Sequence, residues 1–500
     1  MNLENDFAKL AELLKARHEW LLVNGAGKSF ALRADEIEIE LKLNKVLLSF
    51  LDEKGFQTWR GVSFAQKGDE ILLELKHNFE RDKEKIRLIP RVSASELSAT
   101  VELARLEKAN EITRIIVAEI TGAKLVKVAL NAENGRFAQI IFEILKDGQI
   151  AALSDVSGAA THENLLAVAV FWLAKLRARK KKPIGKIWIL ADRKCAKNLQ
   201  KLRALLRPNW RNTIEIFEIS RQDAKKQGED KNTENQFLKK LETIDFSNLS
   251  REKTKKIESL ESLQLSRAAQ KIVEITPEKI DAIFTKHGET LRFFGLPFAR
   301  VRTVSGAEKV WFGIEKGRRI LSENTLAEFS NLIEELKTHR RFDTENKRHA
   351  LFRLAPEAWL EAILRKNIKL LDANLILSPV YNQFRAGRDK IDLLALRPDG
   401  RLVIIELKVA PDREMIFQAA DYWRKIESQR RAGNLRAAKI FGDLEISNEP
   451  AVIYLVAPFL DFYRDFDFLA QTISKEIEIF RFDLNENWRE NLKVIRREKI

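Results

Sequence analysis

The sequence predicts a multidomain α/β protein. Its 500 residues, 45% of them hydrophobic, are enough to bury more than one core. Alternating apolar and polar residues near the N-terminus indicate β-strands, as in the segment "ALRADEIEIEL". Further along, helix-like and strand-like segments follow one another, which is typical of α/β layers.

Changes in composition divide the chain into five expected segments. The stretch after Arg221 is rich in Lys, Glu, Asp, Asn and Gln and poor in aromatic residues, as a charged linker would be. In the last segment we expect a helix, three strands, a helix and a strand in that order. The expected segments are a β-rich module at 1–95, an α/β module at 96–220, a charged linker at 221–265, a small α/β module at 266–345 and a C-terminal domain at 346–500.

Cysteine usage and hydropathy indicate the cellular setting. The single cysteine, Cys195, cannot form a disulfide within one chain, and this suits a reducing cytoplasm. The N-terminal segment "MNLENDFAKL" lacks the basic and apolar regions of a secretory signal. The longest apolar run, residues 165–174, is too short to span a bilayer. We expect a soluble, cytoplasmic protein without a membrane partner.

Positive charge is concentrated in one part of the chain. The formal net charge is +15, and the stretch from Lys175 to Thr213 contains 14 basic residues and one acidic residue. Such a concentration favours a polyanionic partner, DNA before anionic lipid, although a solvated basic surface is the alternative. The candidate DNA-binding residues are Arg179, Lys180, Lys181, Lys182 and, on a later helix, Arg424.

Two familiar kinds of site are excluded by spacing. The segment "NGAGKS" at 24–29 resembles the end of a phosphate-binding P-loop, but that motif requires a glycine where Leu22 stands. The residues that follow alternate like a strand, whereas a P-loop leads into a helix. We therefore expect Gly25 and Gly27 to form a hairpin turn. Six scattered histidines and one cysteine give no zinc-ligand spacing.

The segment "RLVIIELKV" at 401–409 places charges inside an apolar strand. Side chains alternate along a strand, so Glu406 and Lys408 point to the same face. The preceding strand, expected at 390–397, carries a third charge at Asp392, and the loop 398–400, Pro-Asp-Gly, suits a three-residue hairpin. Counting outward from that loop pairs Asp392 with Glu406.

Two carboxylates side by side in an apolar sheet repel each other unless a cation lies between them. Oxygen ligands of this kind favour Mg²⁺ or Mn²⁺, with waters and a substrate phosphate completing the coordination. Lys408 can orient or deprotonate a water and offset charge on the phosphorus. Phosphodiester hydrolysis needs these groups. The alternative is a structural ion-pair cluster inside the sheet.

The helix that follows contains "FQAADYW", in which Gln418 and Tyr422 lie one turn apart. With Asp392 and the Glu406-Leu407-Lys408 triplet, this pair resembles the PD-(D/E)XK nuclease superfamily, in which Q-x-x-x-Y is typical of the RecB-like branch. The resemblance covers about residues 350–460 and implies a restriction-endonuclease-like αβββαβ core. One departure is Ile391, which replaces the proline of the family motif.

The resemblance also implies roles for further residues. The helix "PEAWLEAILRKN" is similar to the acidic first helix of NucS-type endonucleases, where a Glu completes the site. Glu361 then becomes a metal-site or water-positioning residue, with Glu357, one turn earlier, as its competitor. Exposed acids at a helix start are the alternative for both. Gln418 and Tyr422 would contact the DNA strand near the scissile phosphate.

The function expected from the sequence is a Mg²⁺-dependent DNA nuclease in DNA repair or in defence against foreign DNA. Two alternatives stay open: a catalytically inactive protein that binds nucleic acid with the same fold, and a structural interaction protein. Homo-oligomer formation, endonuclease against exonuclease action and strand preference also stay open.

The 96–220 module resembles the C-terminal domain in one hairpin, which suggests a degenerate nuclease-like fold with a basic patch. Superimposing Gly148 on Gly400 places Ser154 where Glu406 stands and Ile140 where Asp392 stands, with Val156 in place of Lys408. No metal could bind there. The alternative is that any segment of three strands and a helix looks alike at this level.

Overall fold

The computed structural model contains two compact units. The first comprises residues 1–197 and 213–241, and the second comprises 198–212 and 242–500. No helix in the described part of the chain is both long enough and apolar enough to cross a membrane. The structure describes the chain apart from residues 1–2, 24–28, 43–44, 53–54, 68–69, 78–82, 92–93, 145–147, 181, 222–235, 248–263, 286–287, 305, 315–317 and 379–390.

The N-terminal module of the first unit is a seven-stranded antiparallel sheet with one helix, so the predicted β-rich module is confirmed. The strand order is β2-β1-β7-β6-β5-β4-β3 once the elements are numbered along the chain. Leu10 and Leu14 of the helix pack with Trp20 in the core. The elements are α1 (Leu3–Lys15), β1 (Glu19–Val23), β2 (Ser29–Arg33), β3 (Glu38–Lys42), β4 (Lys45–Asp52), β5 (Gly55–Lys67), β6 (Glu70–His77) and β7 (Lys83–Pro90).

The segment that resembles a P-loop joins two antiparallel strands. Val23 at the end of β1 pairs with Ser29 at the start of β2. Gly25 and Gly27 themselves lie outside the described residues. A strand follows the segment, as the alternating residues predicted, whereas a P-loop would lead into a helix.

The second module of the first unit is a mixed six-stranded sheet. Its order is β8-β9-β10-β11-β12-β13, with β10, β11 and β12 parallel to one another and the other pairs antiparallel. Its helices and strands are α2 (Ala94–Glu119), β8 (Lys124–Leu130), β9 (Phe137–Ile144), β10 (Gly148–Asp155), α3 (His162–Arg177), β11 (Ile187–Ala191), β12 (Ile214–Arg221) and β13 (Gln236–Lys240). Between β11 and β12 lie α4 (Arg193–Ala204) and α5 (Pro208–Arg211), and residues 198–212 of this segment belong to the second unit.

Strand β13 lies within the segment that we expected to be a charged linker, so that prediction is wrong for residues 236–240. Leu238 pairs with Ile219 of β12 and packs at the edge of the sheet's core. One apolar pair in a short edge strand is a weak signal inside a charged stretch. The neighbouring residues 222–235 and 248–263 lie outside the described part of the chain.

The second unit opens with a five-stranded antiparallel sheet in consecutive order from β14 to β18. One face, with Leu291, Val301 and Phe312, forms a core with Phe329 of the following helix. The segment "ETLRFFGLPFARVR" at 289–302 reads as one strand in the sequence, but it divides into β15 and β16 at a tight turn around Gly295. The elements are α6 (Arg267–Glu274), β14 (Ile280–Thr285), β15 (Gly288–Phe293), β16 (Leu296–Val304), β17 (Ala307–Phe312), β18 (Arg319–Ile320) and α7 (Leu326–His339).

The C-terminal part of the second unit is another mixed six-stranded sheet in consecutive order from β19 to β24. Strands β21, β22 and β23 are parallel to one another, and the remaining pairs are antiparallel. The elements are α8 (Ala350–Arg353), α9 (Pro356–Lys366), β19 (Ile376–Leu377), β20 (Leu393–Leu396), β21 (Leu402–Leu407), α10 (Met415–Arg431), α11 (Asn434–Ala437), β22 (Val452–Pro458), α12 (Phe466–Ala470), β23 (Glu478–Leu484) and β24 (Val494–Lys499).

The central strands of this sheet are apolar because both of their faces are covered. Val403, Ile405 and Leu407 of β21 pack with Trp359 and Leu360 of α9 in one core. Helix α10 packs against β21 and β22. Since side chains alternate along a strand, the even-numbered residues of β21 point away from the α9 core. Glu406 is one of these residues.

Candidate functional site

The candidate site begins with the hairpin between β20 and β21. Arg397 donates its backbone N–H to the carbonyl oxygen of Arg401 at 2.9 Å, and Gly400 donates to that of Arg397. Gly400 has φ +77°, and a Cβ there would lie 2.9 Å from the carbonyl oxygen of Glu445. Only glycine fits both the backbone angle and the space. The predicted three-residue hairpin is confirmed.

The hairpin register brings the two predicted carboxylates together. Leu393 pairs with Ile405, so Asp392 lies opposite Glu406 one position further along. Asp392 Oδ2 accepts a hydrogen bond from the backbone N–H of Leu407 at 2.9 Å. The charge of Asp392 also raises the pKa of Glu406. The structure therefore places the two acids in electrostatic contact, as the sequence predicted.

Glu406 is a buried carboxyl group with an unused oxygen. It is 3% exposed, and its Oε1 accepts a hydrogen bond from Lys408 Nζ at 3.0 Å. Its Oε2 is buried and has no hydrogen-bond donor among the described residues. Burial and then Asp392 raise the pKa of Glu406 well above its ordinary value, although Lys408 acts in the opposite direction.

This environment fits a divalent metal ion. A buried carboxylate oxygen without a donor is costly in free energy unless a proton or a cation compensates it. Asp392 and Glu406 offer oxygen ligands from adjacent strands, and such ligands suit Mg²⁺ or Mn²⁺. The donor set contains neither sulfur nor imidazole, so it does not suit a structural zinc ion.

Lys408 is the cation of the site. Its Nζ lies 3.0 Å from Glu406 Oε1 and 3.5 Å from Asp412 Oδ2. Burial lowers its pKa, but the carboxylates of Glu406, Glu357 and Asp412 outweigh this effect, and the net shift is upward. Lys408 is therefore an ammonium group at neutral pH, and it acts as a donor rather than as a base.

Of the two acids predicted on α9, Glu357 is the one that acts on the site. It stands in the first turn of the helix. Its charge raises the pKa of both Glu406 and Lys408. The first helical turn therefore lies close to the hairpin carboxylates.

Glu361 is held elsewhere, in a buried ion cluster. It is 1% exposed, and its Oε1 lies 3.3 Å from Arg292 Nη1 and 3.7 Å from Arg365 Nη1. Arg292 also binds Asp281 on the neighbouring strand β14. The cluster fastens α9 to the small antiparallel sheet. The sequence preferred Glu361 over Glu357. In the structure Glu361 is bound in this cluster, whereas the charge of Glu357 acts on Glu406 and Lys408.

The start of α9 is fastened by Arg340, a fully buried arginine. Burial, and then the nearby Arg489, lower its pKa to about 9. Its guanidinium lies 4.7 Å from the centre of the Trp359 ring. The guanidinium donates hydrogen bonds to the carbonyl oxygens of Phe293, Phe294, Leu351, Leu354 and Ala355. These bonds fix the chain just before Glu357.

Gln418 and Tyr422 lie on α10, the helix that packs against β21. Gln418 Oε1 is buried and has no hydrogen-bond donor among the described residues. Tyr422 is half-buried, and Lys425 Nζ lies 5.6 Å from its ring centre. The one-turn spacing places both side chains on the same side of the helix.

Arg424 is the predicted DNA-binding residue that the structure does not favour. It is 5% exposed, and its Nε and Nη2 bind Asp421 Oδ1 at 2.9 and 2.8 Å. Asp421 is itself buried. A buried guanidinium already bound to a carboxylate cannot contact a phosphate from this position, so we remove Arg424 from the candidate residues.

The basic stretch serves more than one purpose. Arg179, Lys180 and Lys182 follow α3 and are exposed, as DNA contacts require, whereas Lys181 lies outside the described residues. Other members are structural: Arg203 is buried, and Arg207 donates to the carbonyl oxygen of Ile473. The stretch is also divided between the two compact units. It is therefore not one uniform surface.

The structure adds a basic face that the sequence reasoning missed. Arg300, Arg302 and Arg318 lie close enough that burial first and then their mutual repulsion lower the pKa of Arg300. Arg300 Nε is buried and has no hydrogen-bond partner among the described residues. Trp311 pairs with Arg300 across β16 and β17. The alternation of Ala299, Arg300, Val301 and Arg302 was the available signal, because it places the two arginines on one face of the strand.

Comparison with known proteins gives little. No protein-family model matches the sequence, and no curated protein is significantly similar to it. One solved structure, EndoMS in its apo form, is 9% identical over 43% of this chain and 95% of that chain, with a TM-score of 0.17. A likeness at that TM-score carries no argument about fold or function.

Proposed function

We propose that the chain is a Mg²⁺-dependent DNA nuclease of the PD-(D/E)XK type, with a restriction-endonuclease-like C-terminal core, acting in DNA repair or in defence against foreign DNA. One observation carries the proposal. Glu406 is buried opposite Asp392 and has Lys408 on one oxygen, while no described residue donates to the other oxygen. A structural ion pair does not require a second acid beside a buried, partly unsatisfied carboxylate.

Asp392 and Glu406 would hold the metal ion. When bound, Mg²⁺ or Mn²⁺ neutralises phosphate charge and lowers the pKa of a bound water. Lys408, an ammonium group, donates to the scissile phosphate and stabilises the negative charge that develops there. Glu357 helps to orient the attacking water from the start of α9.

DNA binding in this proposal involves three groups of residues. Gln418 and Tyr422 contact the strand beside the scissile phosphate. Arg300 and its two neighbouring arginines, Arg302 and Arg318, contact phosphates, and Trp311 on the same face of the sheet offers a ring on which a base can stack. The exposed cations after α3 add further phosphate contacts in the first unit.

Plasmid cleavage tests the proposal. We expect Mg²⁺- or Mn²⁺-dependent cleavage that falls by roughly a hundredfold or more in Glu406→Gln and in Lys408→Ala, since each removes a group that acts on the reacting phosphate. DNA affinity should change little in either variant. The exposed residues Glu449 and Lys475 provide matched controls, Glu449→Gln and Lys475→Ala, which should cleave at the wild-type rate.

A protein that only binds nucleic acid is the second candidate function, and the basic face around Arg300 favours it. The two candidates differ in one measurement. Salt-sensitive DNA binding without metal-dependent cleavage would support the binding protein and reject the nuclease. Undiminished cleavage by either site variant would reject the assignment of the site.

A further inference from the structure

The two mixed sheets of the molecule have the same topology. In each, six strands stand in consecutive order, from β8 to β13 and from β19 to β24. The pairs run antiparallel, antiparallel, parallel, parallel and antiparallel in both. Six strands permit many other orders and directions, so the agreement indicates one architecture used twice.

The helices and the preceding sheets agree as well. Helix α3 packs on β10 and β11, and α10 packs on the corresponding strands β21 and β22. An antiparallel five-stranded meander precedes each mixed sheet, formed by β3 to β7 in the first unit and by β14 to β18 in the second. The chain therefore contains a tandem repeat.

The hairpin registers identify the corresponding residues. Ile144 pairs with Gly148 around a three-residue loop, as Arg397 does with Arg401. Five positions beyond these pairs, Leu153 corresponds to Glu406. Its strand partner Gln139 corresponds to Asp392.

The cores support this alignment. Ala152 packs with Ile112 of α2, and its counterpart Ile405 packs with Leu360 of α9. The superposition of Gly148 on Gly400, which the sequence suggested, is shifted by one residue. A one-residue shift exchanges the two faces of a strand. Ser154 and Ile140 therefore do not occupy the places of the two acids, and Val156 does not occupy that of Lys408.

The first copy lacks the hydrolytic groups under this alignment. Leu153 is fully buried and offers no ligand. Asp155 stands in the place of Lys408, and its oxygens accept hydrogen bonds from Ser157 and from the backbone N–H of Ala160. That carboxylate closes a turn before α3. In the described strands of this hairpin, no two carboxylates therefore lie opposite each other.

We propose that each chain cuts a single strand of a DNA duplex and releases a nick, while the first copy holds the DNA without cutting it. This rests on the nuclease function proposed above. Hydrolysis adds one water across one P–O bond and gives a phosphate monoester and a sugar hydroxyl, so one site breaks one strand. The exposed Arg179, Lys180 and Lys182 follow α3 in the copy without the site and supply its phosphate contacts.

The products from supercoiled plasmid test the first half of the proposal. With DNA in excess, nearly all of the supercoiled form should become open circles before linear DNA accumulates. The initial nicking rate should rise in proportion to the wild-type chain and stay unchanged when Glu406→Gln protein is added. Linear DNA formed from the first time points would overturn single-strand cutting but leave the nuclease function standing. Absence of both products would overturn both.

Charge reversal in the first unit tests the second half. Lys180→Glu combined with Lys182→Glu should raise KM severalfold, leave kcat unchanged and lower the salt slope of binding by about 2. The control, Lys124→Glu combined with Lys127→Glu, makes the same charge change on strand β8 and should leave KM near wild type. An unchanged KM in the first variant would overturn DNA holding by the first copy. Equal effects of both variants would overturn the assignment of its phosphate contacts to the residues after α3.

Discussion

The hairpins β9–β10 and β20–β21 have the same architecture and different chemistry. Both enclose a three-residue loop and pair with a parallel third strand. Leu153 is fully buried in one, and Glu406 is buried at the corresponding place in the other. The comparison shows that the fold does not require a carboxylate there. A residue that lowers stability without serving the fold is expected at a functional site.

The most direct test of this comparison is to introduce a carboxylate at the position of Leu153. Leu153→Glu should destabilise the first unit by about 3–5 kcal/mol, because it buries a charge without a cationic partner. Leu153→Met should cost less than about 1.5 kcal/mol, since it nearly conserves volume and adds no charge. Denaturant unfolding of the full chain measures both. Equal stability of the two variants would show that position 153 is not enclosed as Glu406 is.

Removal of the charge from Glu406 should have a smaller effect on stability than Leu153→Glu, and one of opposite sign. Glu406→Gln removes a buried acid whose pKa is raised by burial, so the metal-free variant should be as stable as the wild type or more stable at neutral pH. Each kcal/mol corresponds to about 2–4 °C in Tm for a domain of this size. A lower Tm for the variant would contradict the view that Lys408 compensates the buried charge of Glu406 only in part.

The same residue predicts a dependence on pH. The pKa of Glu406 is higher in the folded chain than in the unfolded chain, where it is about 4.3. The contribution of Glu406 to stability is therefore complete below the unfolded-state pKa and is lost as the pH rises through the folded-state pKa. Without metal, the wild type should therefore lose Tm relative to Glu406→Gln as pH rises from 4 towards neutrality. Mg²⁺ should raise the free energy of unfolding of the wild type but not of Glu406→Gln. The increase should be about 2.7 kcal/mol when the Mg²⁺ concentration is a hundred times its Kd.

The smallest expected effect separates the two acids of α9. Glu357→Gln should lower the cleavage rate by roughly tenfold with little change in Tm, because Glu357 is exposed and acts on the site through its charge. Glu361→Gln should lower Tm instead, because it leaves buried Arg292 with one carboxylate fewer. Measurement of kcat and Tm for both variants decides which of the two acids belongs to the site. The opposite pattern would restore Glu361 to the site.

The sequence predicted the fold where periodicity was strong. The antiparallel N-terminal strands and the buried strands around Val403 followed from alternation and from continuous apolar runs. Strand β24 was missed because Arg496, Arg497 and Lys499 make its segment look like a solvated tail, whereas Arg496 pairs with Asp483 and Arg497 with Asp372. Long-range ion pairs of this kind leave no local pattern.

For the candidate site, the hairpin was predictable and its surroundings were not. Counting outward from Pro398-Asp399-Gly400 paired Asp392 with Glu406, because turn geometry fixes register locally. The choice between Glu357 and Glu361 depended on Arg292, which stands about seventy positions earlier in the chain. The burial of Arg424 likewise depended on tertiary packing.

Arg340 has a consequence for how the molecule can be divided. It ends a helix of the small sheet's module, yet its five hydrogen bonds reach both the turn at Phe293 and the backbone before Glu357. Gly295 approaches α9 so closely that a Cβ would lie 1.9 Å from the carbonyl oxygen of Ala358. A cut at residue 346, where the sequence suggested a boundary, would separate the arginine from the carbonyl groups that it satisfies. Any shortened version of the chain that keeps the candidate catalytic sheet therefore has to keep the small sheet as well.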